Sequence, residues 1–294
     1  MAVYLEFEKP IEEIEKSIAD LESSALKKSD VDFSIEIDEL KKKRDYMLGT
    51  IYENLTTWQI TQVARHPDRP IFSDYRDNLF DEFLEFHGER QFRDDPPIIT
   101  GFAKIGDEKF VVIGEEKGRD TKDKIYRNFG MPQPEGYRKA LRAMKIAEKF
   151  KKPVLTFIDT AGAYPGIEGE ERGQGEAIAR NLFEMAGLKV PIIATVIGEG
   201  GSGGALAIAV ADRVLMLSNA IYSVISPESC ASILWHDASK AEQAAESLKF
   251  TFPHLKKFGI VEEAIPEPMG GAHRNIELTM SNAKKVIFKH LAEL

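Results

Sequence analysis

Between Gly198 and Gly204 the chain reads Gly-Glu-Gly-Gly-Ser-Gly-Gly, five glycines with one acid and one serine. Residues of these types do chemistry mainly through their backbone. Without Cβ atoms, glycines let a ligand oxygen come close, and the free N–H groups of a following helix's first turn point at that oxygen. The segment therefore reads as an anion or oxyanion site, against the plainer alternative of a glycine loop that only turns a corner. Asp159-Thr160-Ala161-Gly162-Ala163-Tyr164-Pro165-Gly166 repeats the pattern about 40 residues earlier. Asp159 could act as a general base, although a carboxylate opening a turn more commonly bonds its own backbone.

Two short patterns compete for the first segment. Gly198-x-Gly200-x-x-Gly203 matches a dinucleotide fingerprint, but no acid stands near Ser218-Asn219-Ala220, where the ribose partner belongs. Gly200-x-Ser202-x-Gly204 matches a nucleophile elbow, with Asp212 or Asp237 and His254 or His273 downstream in the order a hydrolase triad requires. Ser202 as a nucleophile is thus a rival reading. None of the histidines adjoins a glycine loop or has metal-ligand spacing, and His273 reads as a loop or cap residue.

The elements that must position these loops alternate in kind. Ile192 to Ile197 and Val154 to Ile158 are short apolar runs suited to strands buried on both faces. The first is expected to lead through its loop into a helix over Ala205–Ala211, the second into a helix beginning near Glu170. In open α/β sheets ligands bind beyond the carboxyl ends of the strands, so the two loops should share one crevice. Ile98–Ile105 and Phe110–Gly114 read as strands joined at Gly106-Asp107, and Ile221–Ile225 as a further strand. Helices are expected at Pro227–Trp235, at Ala238–Lys249 and toward Leu294. From Lys117 to Lys152 there are twelve Lys or Arg against four Asp or Glu. That bias suggests an anionic ligand, with Arg119 and Lys122 as candidate contacts, beside the alternative of a solvated helix face.

Ahead of this core, Ile11, Ile14, Ile18 and Leu21 fall on one helical stripe, and Ile37, Leu40, Met47, Ile51 and Leu55 on another. Ser29-Asp30 is the expected break and cap between them, and His66-Pro67-Asp68-Arg69-Pro70 opens the main domain. The division is an arm over residues 1–70 and a domain over 71–294, the arm packing either on its own domain or on a partner subunit.

Composition narrows the classes. The 294 residues carry a net charge of −9, which argues against nonspecific nucleic-acid binding. One cysteine, Cys230, excludes a disulfide framework and a Cys-cluster zinc site within this chain. The beginning lacks an export signal and no apolar run reaches membrane length, so the expected setting is cytoplasmic.

Two oxyanion-type loops without a convincing acid, base or nucleophile favour a reaction in which an oxygen becomes negative while another molecule handles the proton. Longer motifs sharpen this: Arg127-Asn128-Phe129-Gly130-Met131, Pro134 to Arg142, Phe157-Ile158-Asp159-Thr160, Ala163-Tyr164-Pro165-Gly166, Glu171-Arg172-Gly173-Gln174, Gly198 to Ala205 and Tyr222 to Glu228. Together with Phe7-Glu8-Lys9-Pro10 and Trp58-Gln59-Ile60, they resemble the α subunit of bacterial acetyl-CoA carboxylase carboxyltransferase over nearly the whole chain. The resemblance implies an α/β, crotonase-like (ClpP/crotonase) ββα spiral with an N-terminal helical arm and a C-terminal helix. It implies a heterotetramer of two α and two zinc-carrying β subunits, with no metal on this chain, working with a biotin carboxylase and a biotin carboxyl carrier protein. The activity implied is transfer of the carboxyl group of carboxybiotin to acetyl-CoA, giving malonyl-CoA for fatty acid synthesis. By the same resemblance Gly203 and Gly204 present the catalytic backbone, with Gly200, Gly201 and the Gly162-Ala163-Tyr164 turn beside them at the biotin site. The β subunit supplies the enolate's donors and most acetyl-CoA contacts. A stand-alone crotonase-type hydratase or isomerase is the other alternative. Two departures stand out: Ser229 where the family usually has glycine, and a shorter C-terminal tail.

Overall fold

A computed structural model describes residues 3–27 and 32–294. The expected cap at Ser29-Asp30 lies outside the described residues. In chain order the helices open with α1 (Lys9–Lys27), α2 (Ser34–Tyr52), α3 (Thr57–Ala64) and α4 (Phe72–Leu79). α1 and α2 form the anticipated hairpin, with Ile11, Ile14 and Ile18 buried along α1. On α2 only Leu48 is fully buried, and Ile35 and Tyr46 face solvent.

α3 is a separate helix that the hydrophobic stripes did not announce. Thr56 starts it with a capping box: its hydroxyl accepts the Gln59 N–H at 3.2 Å, and Gln59 Oε1 accepts the Thr56 N–H at 2.8 Å. This helix belongs with the main body, since Thr61, Val63 and Ala64 are buried and α3 packs against the strand carrying the glycines. Arg69 follows it inward. Its guanidinium meets Glu267 at 2.7 and 3.1 Å and donates to the Ile197 carbonyl at 2.8 Å.

One sheet holds the molecule together. Its strands are β1 (Glu82–Glu85), β2 (Ile98–Ile105), β3 (Glu108–Glu115), β4 (Val154–Thr160), β5 (Ile192–Gly201), β6 (Arg213–Leu217), β7 (Ile221–Ser223) and β8 (Glu263–Ile265). Their order is β1-β2-β3-β4-β5-β6-β8, with β7 paired to the end of β5. β1 to β3 form an antiparallel meander, and pairing from β3 through to β8 is parallel. Every residue of β4 and β5 is buried, which is what their unbroken apolar runs require. β1, only four residues at the sheet edge, gave no sequence signal.

The further α-helices are α5 (Thr121–Tyr126), α6 (Pro134–Phe150), α7 (Ile167–Glu171), α8 (Gln174–Met185), α9 (Ser202–Leu206), α10 (Pro227–Trp235), α11 (Ala241–Leu248), α12 (Phe252–Lys257) and α13 (Ile276–Leu291). α6 packs on β2 and β3, while α13 packs on β5 and α4. Two expectations need correcting here. β5 does not end at Ile197 but runs four residues further, through Gly201. The helix expected over Ala205–Ala211 is the short α9, and residues 207–209 form a turn before β6. Glycines are poor helix formers, and the chain has only Ala207 to Asp212 in which to reverse toward β6.

His273 is more than a loop residue. It lies in a 3-10 turn, and its ring stacks on His66 with centroids 3.9 Å apart and planes 7° from parallel. Burial, reinforced by the neighbouring His66 and Arg274, pushes the His273 imidazole down to about 3, so the stack is a neutral apolar contact where α3's exit meets the C-terminal part of the chain.

Candidate active site

The sequence folds Gly198–Gly201 as strand because both edges of that stretch find partners: Thr160 on β4 and residues Ile221–Ser223 on β7. Most of these glycines are small for the sake of neighbouring protein atoms. A Cβ on Gly201 would stand 2.2 Å from the Ala161 carbonyl oxygen, and one on Gly200 2.8 Å from the Tyr222 ring. A Cβ on Gly204 would come within 2.4 Å of the Ala163 nitrogen and 2.5 Å of the Gly162 carbonyl carbon. The two glycine loops are therefore pressed backbone to backbone; where a shared ligand crevice was expected, the contact is protein on protein, and Gly162, Ala163 and Tyr164 do not line the cavity at Gly203.

Gly203 differs. The space around its absent Cβ holds only Ile178, at 3.7 Å, and the residue lines a cavity of about 260 Å³ with Ser202, Leu206, Tyr222, Ser223, Val224, Leu255 and Ile260. Its walls are mainly apolar side chains. Gly203 and Gly204 occupy the first turn of α9, where backbone N–H groups have no carbonyl one turn back. The opposite loop is fixed by Thr160, whose hydroxyl accepts the Gly162 N–H at 3.1 Å and donates to the Gly162 carbonyl at 2.8 Å. Tyr164 is held through its N–H on the Pro132 carbonyl and by Gln174 donating to its own carbonyl at 3.0 Å.

Beneath the loops lies a group of charges that sequence reasoning assigned only in part. Asp159 does not bond its own turn. Its Oδ1 accepts the Glu199 N–H from the neighbouring strand at 2.9 Å and pairs with Lys117 Nζ at 2.7 Å. Arg65 grips Glu199 at 2.6 Å and Glu228 at 2.7 Å. Glu115 donates nothing to this pairing: full burial pushes its carboxyl well above the usual range, and it accepts the Asp159 N–H at 3.0 Å. Of the basic segment, Lys117 is thus the residue brought under the glycine strand. Arg119 is exposed and pairs with Asp74, Lys122 is exposed, and neither lines the cavity. Buried charge partners are legible only in three dimensions.

The hydrolase triad is not assembled. Ser202 does sit at φ 57° on a strand-to-helix turn, as an elbow nucleophile would. Asp212, however, accepts the Ile192 N–H at the opposite end of β5, roughly 30 Å of extended chain away. Asp237 caps its own turn at Ser239, His254 bonds Thr251, and His273 stacks on His66. Ser202→Ala is accordingly expected to keep most activity, and a fluorophosphonate probe to leave Ser202 unlabelled; stoichiometric labelling there would overturn this assignment. The dinucleotide fingerprint fails as well, because Gly198 and Gly200 are strand residues and form no turn. Ser229 raises no difficulty, since it stands inside the first turn of α10 with its N–H on Ser226 Oγ at 3.1 Å and is absent from the positive-φ residues.

Comparison with known proteins supplies the family. The family model described as acetyl co-enzyme A carboxylase carboxyltransferase-like matches residues 4–294. A relative from Geobacter metallireducens, named acetyl-coenzyme A carboxylase carboxyl transferase subunit alpha, is 57% identical over 290 residues, 99% of this chain and 91% of its own length. A Geobacillus relative of the same name is 55% identical over 100% of this chain and 90% of its own. Among solved structures, transcarboxylase 12S superposes with a TM-score of 0.62 at 17% identity, over 76% of this chain and 41% of that one. The β subunit of geranyl-CoA carboxylase from P. aeruginosa gives 0.59 at 17%, over 81% of this chain and 44% of that one. The chain spans less than half of these structures, and at such identity they speak for the crotonase-like fold alone. Sequence similarity over almost every residue goes further: the chain belongs to the family of acetyl-CoA carboxylase carboxyltransferase α subunits.

Proposed function

We propose that this chain, joined to a β partner subunit, transfers the carboxyl group of carboxybiotin, presented on a separate carrier protein, to acetyl-CoA to give malonyl-CoA. The observation that carries the reading is Gly203, with backbone N–H groups of α9's first turn at an apolar-walled cavity and no Asp, Glu, His or Lys among the described residues that line it. Carboxybiotin as substrate supplies the carboxyl group and, once that group leaves, a basic nitrogen beside a charged ureido oxygen. The cavity suits it: Leu206, Tyr222, Val224, Leu255 and Ile260 offer apolar surface to a bicyclic ring, Gly203 lines it, and the N–H groups of Gly203 and of the adjoining Gly204 in α9's first turn are the donors assigned to the oxygen. Gly162 and Ala163 keep those donors in place by packing against Gly204, Tyr164 anchors the same loop through Pro132 and Gln174, and Gly200 and Gly201 deliver the chain to them. Arg119 and Lys122, exposed at the surface, serve as outer contacts for an anionic substrate.

Within the arm of residues 1–70, the α1–α2 hairpin serves as a contact to partner subunits, which the exposed Ile35 and Tyr46 on α2 support, while α3 packs on the body. Residues 71–294 form the carboxyltransferase body. Zinc and the enolate's donors belong to the β partner, and the biotinylated carrier and biotin carboxylase act upstream. The test is reverse carboxyl transfer from malonyl-CoA to a free biotin derivative, measured with this chain alone, the β subunit alone, and both. Activity is expected only from the mixture. Substantial turnover by the chain alone would replace this reading with a stand-alone crotonase-type enzyme.

A further inference from the structure

The glycine strand departs from its neighbour at one place. β4 and β5 pair as Ile158 with Val196 and next as Thr160 with Gly200, so Asp159 alone faces Ile197, Gly198 and Glu199. Such a bulge leaves backbone groups without ladder partners. The Asp159 carboxylate fills the gap by accepting the Glu199 N–H, and it can stand there because a Cβ on Gly198 would lie only 2.5 Å from its Oδ1.

Charges extend from this bulge in a continuous line. Lys117 Nζ meets Asp159 at 2.7 Å and Glu199 Oε2 at 3.7 Å. Gly130, at φ 75°, closes a turn so tightly over Lys117 that a Cβ there would come within 2.6 Å of its Cγ. Arg65, at the C-terminal end of α3, places Nε and Nη2 on Glu199 Oε1 at 2.9 and 2.6 Å and Nη1 on Glu228 Oε1 at 2.7 Å. Glu228 lies in the first turn of α10, just beyond the Tyr222–Val224 stretch that lines the cavity. The line therefore touches the bulge, the glycine strand and the cavity wall. Apolar packing alone could stabilise this interior equally well, whereas a fork between two fixed carboxylates sets a register.

We infer that Arg65, Lys117 and Asp159 are positioning residues for carboxyl transfer: through Glu199 and Glu228 they fix where β5 delivers the Gly203 N–H relative to the wall at Tyr222 and Val224. This rests on the proposed function and specifies what holds its site. Removing Arg65 strips Glu228 of its partner and leaves Lys117 as the one cation between the Asp159 and Glu199 carboxylates, which shifts the strand and with it the donors.

The experiment uses the enzyme assembled with its β partner, assayed for transfer from malonyl-CoA to a free biotin derivative. Arg65→Met is expected to lower turnover by about 10- to 100-fold and raise the KM of the biotin derivative, while the KM of malonyl-CoA is unchanged. Arg65→Lys, which keeps the charge without the fork, should recover part of the loss. The control is Arg274→Met, which breaks the ion pairs with Glu15 at 2.8 Å and Glu8 at 3.6 Å and touches no cavity residue. It is expected to lower melting temperature without changing either KM. Equal kinetic losses in Arg65→Met and Arg274→Met, or an unchanged biotin KM in Arg65→Met, would overturn the inference. Should Arg65→Met fail to assemble, Glu228→Gln removes only the half-exposed end of the line; a smaller rise in the same KM supports the inference, and no rise overturns it. Absence of transfer in the unmodified enzyme would instead defeat the functional reading itself.

Discussion

Gly204→Ala is expected to cut carboxyl transfer by about 10²–10³-fold, the usual effect of misplacing one oxyanion donor. The added methyl would lie 2.4 Å from the Ala163 nitrogen and 2.5 Å from the Gly162 carbonyl carbon, both backbone atoms that cannot rotate away. The loops must separate. Overpacking of this kind costs about 1–3 kcal/mol, a tolerable loss for the fold of a large assembled enzyme. The displacement falls on α9's first turn, however, where the donors are. Gly203→Ala supplies the contrast, because its methyl would make an ordinary 3.7 Å contact with Ile178. Its melting temperature and assembly should match the unmodified protein, so any change in its turnover reports on the ligand alone. Size and melting temperature are measured for both variants before kcat. A correctly assembled Gly204→Ala enzyme with near-normal kcat would show that the contact between the two loops does not set the donors.

Arg69→Met is expected to be the most destabilising single change outside the site, at about 3–5 kcal/mol, the cost of stripping one partner from a buried ion pair. Arg69 and Glu267 have side chains only 3% and 1% exposed. Burial on its own raises the Glu267 carboxyl, but Arg69 and the Asn219 groups bonded to it hold the acid below its ordinary value. Glu267 also accepts the backbone N–H groups of Asn219 and Ala272, both at 2.9 Å. An unpaired carboxylate at that place would loosen the end of α3, the Ile197 carbonyl and the turn before α13 together. Denaturant unfolding of the purified chain measures it. A loss below about 1 kcal/mol, the scale of a surface pair, would mean that the pair is not the tie described here.

How legible was all this beforehand? Local signals worked where local physics decides. The apolar runs at Val154 and Ile192 became the two fully buried central strands, and Pro227–Trp235 became α10 with the same limits, because Ser226 and Pro227 cap and start it regardless of context. The long motifs carried the family. Other features were silent. β1 is too short to show alternation, and the His66–His273 stack joins positions whose sequence neighbourhoods have nothing in common. Within Lys117–Lys152, charge density marked a basic surface, yet the residue that meets the carboxylates under the loops is Lys117, which turns inward to pair with Asp159.

By itself, then, the sequence determined that Gly198–Gly204 is backbone-rich and lies at the carboxyl end of a buried strand, since residue type and spacing alone dictate those properties. Only the tertiary structure decided which glycine is free. Gly198, Gly200, Gly201 and Gly204 are each small because Asp159, Tyr222, Ala161 or the Gly162–Ala163 backbone occupies the place of a side chain, and Gly203 faces the cavity. The physical reason is that a missing Cβ has the same local signature whether a ligand or another strand fills its volume. What fills it depends on contacts formed across long stretches of intervening chain, which only the packing of β4 and β7 against β5 brings together.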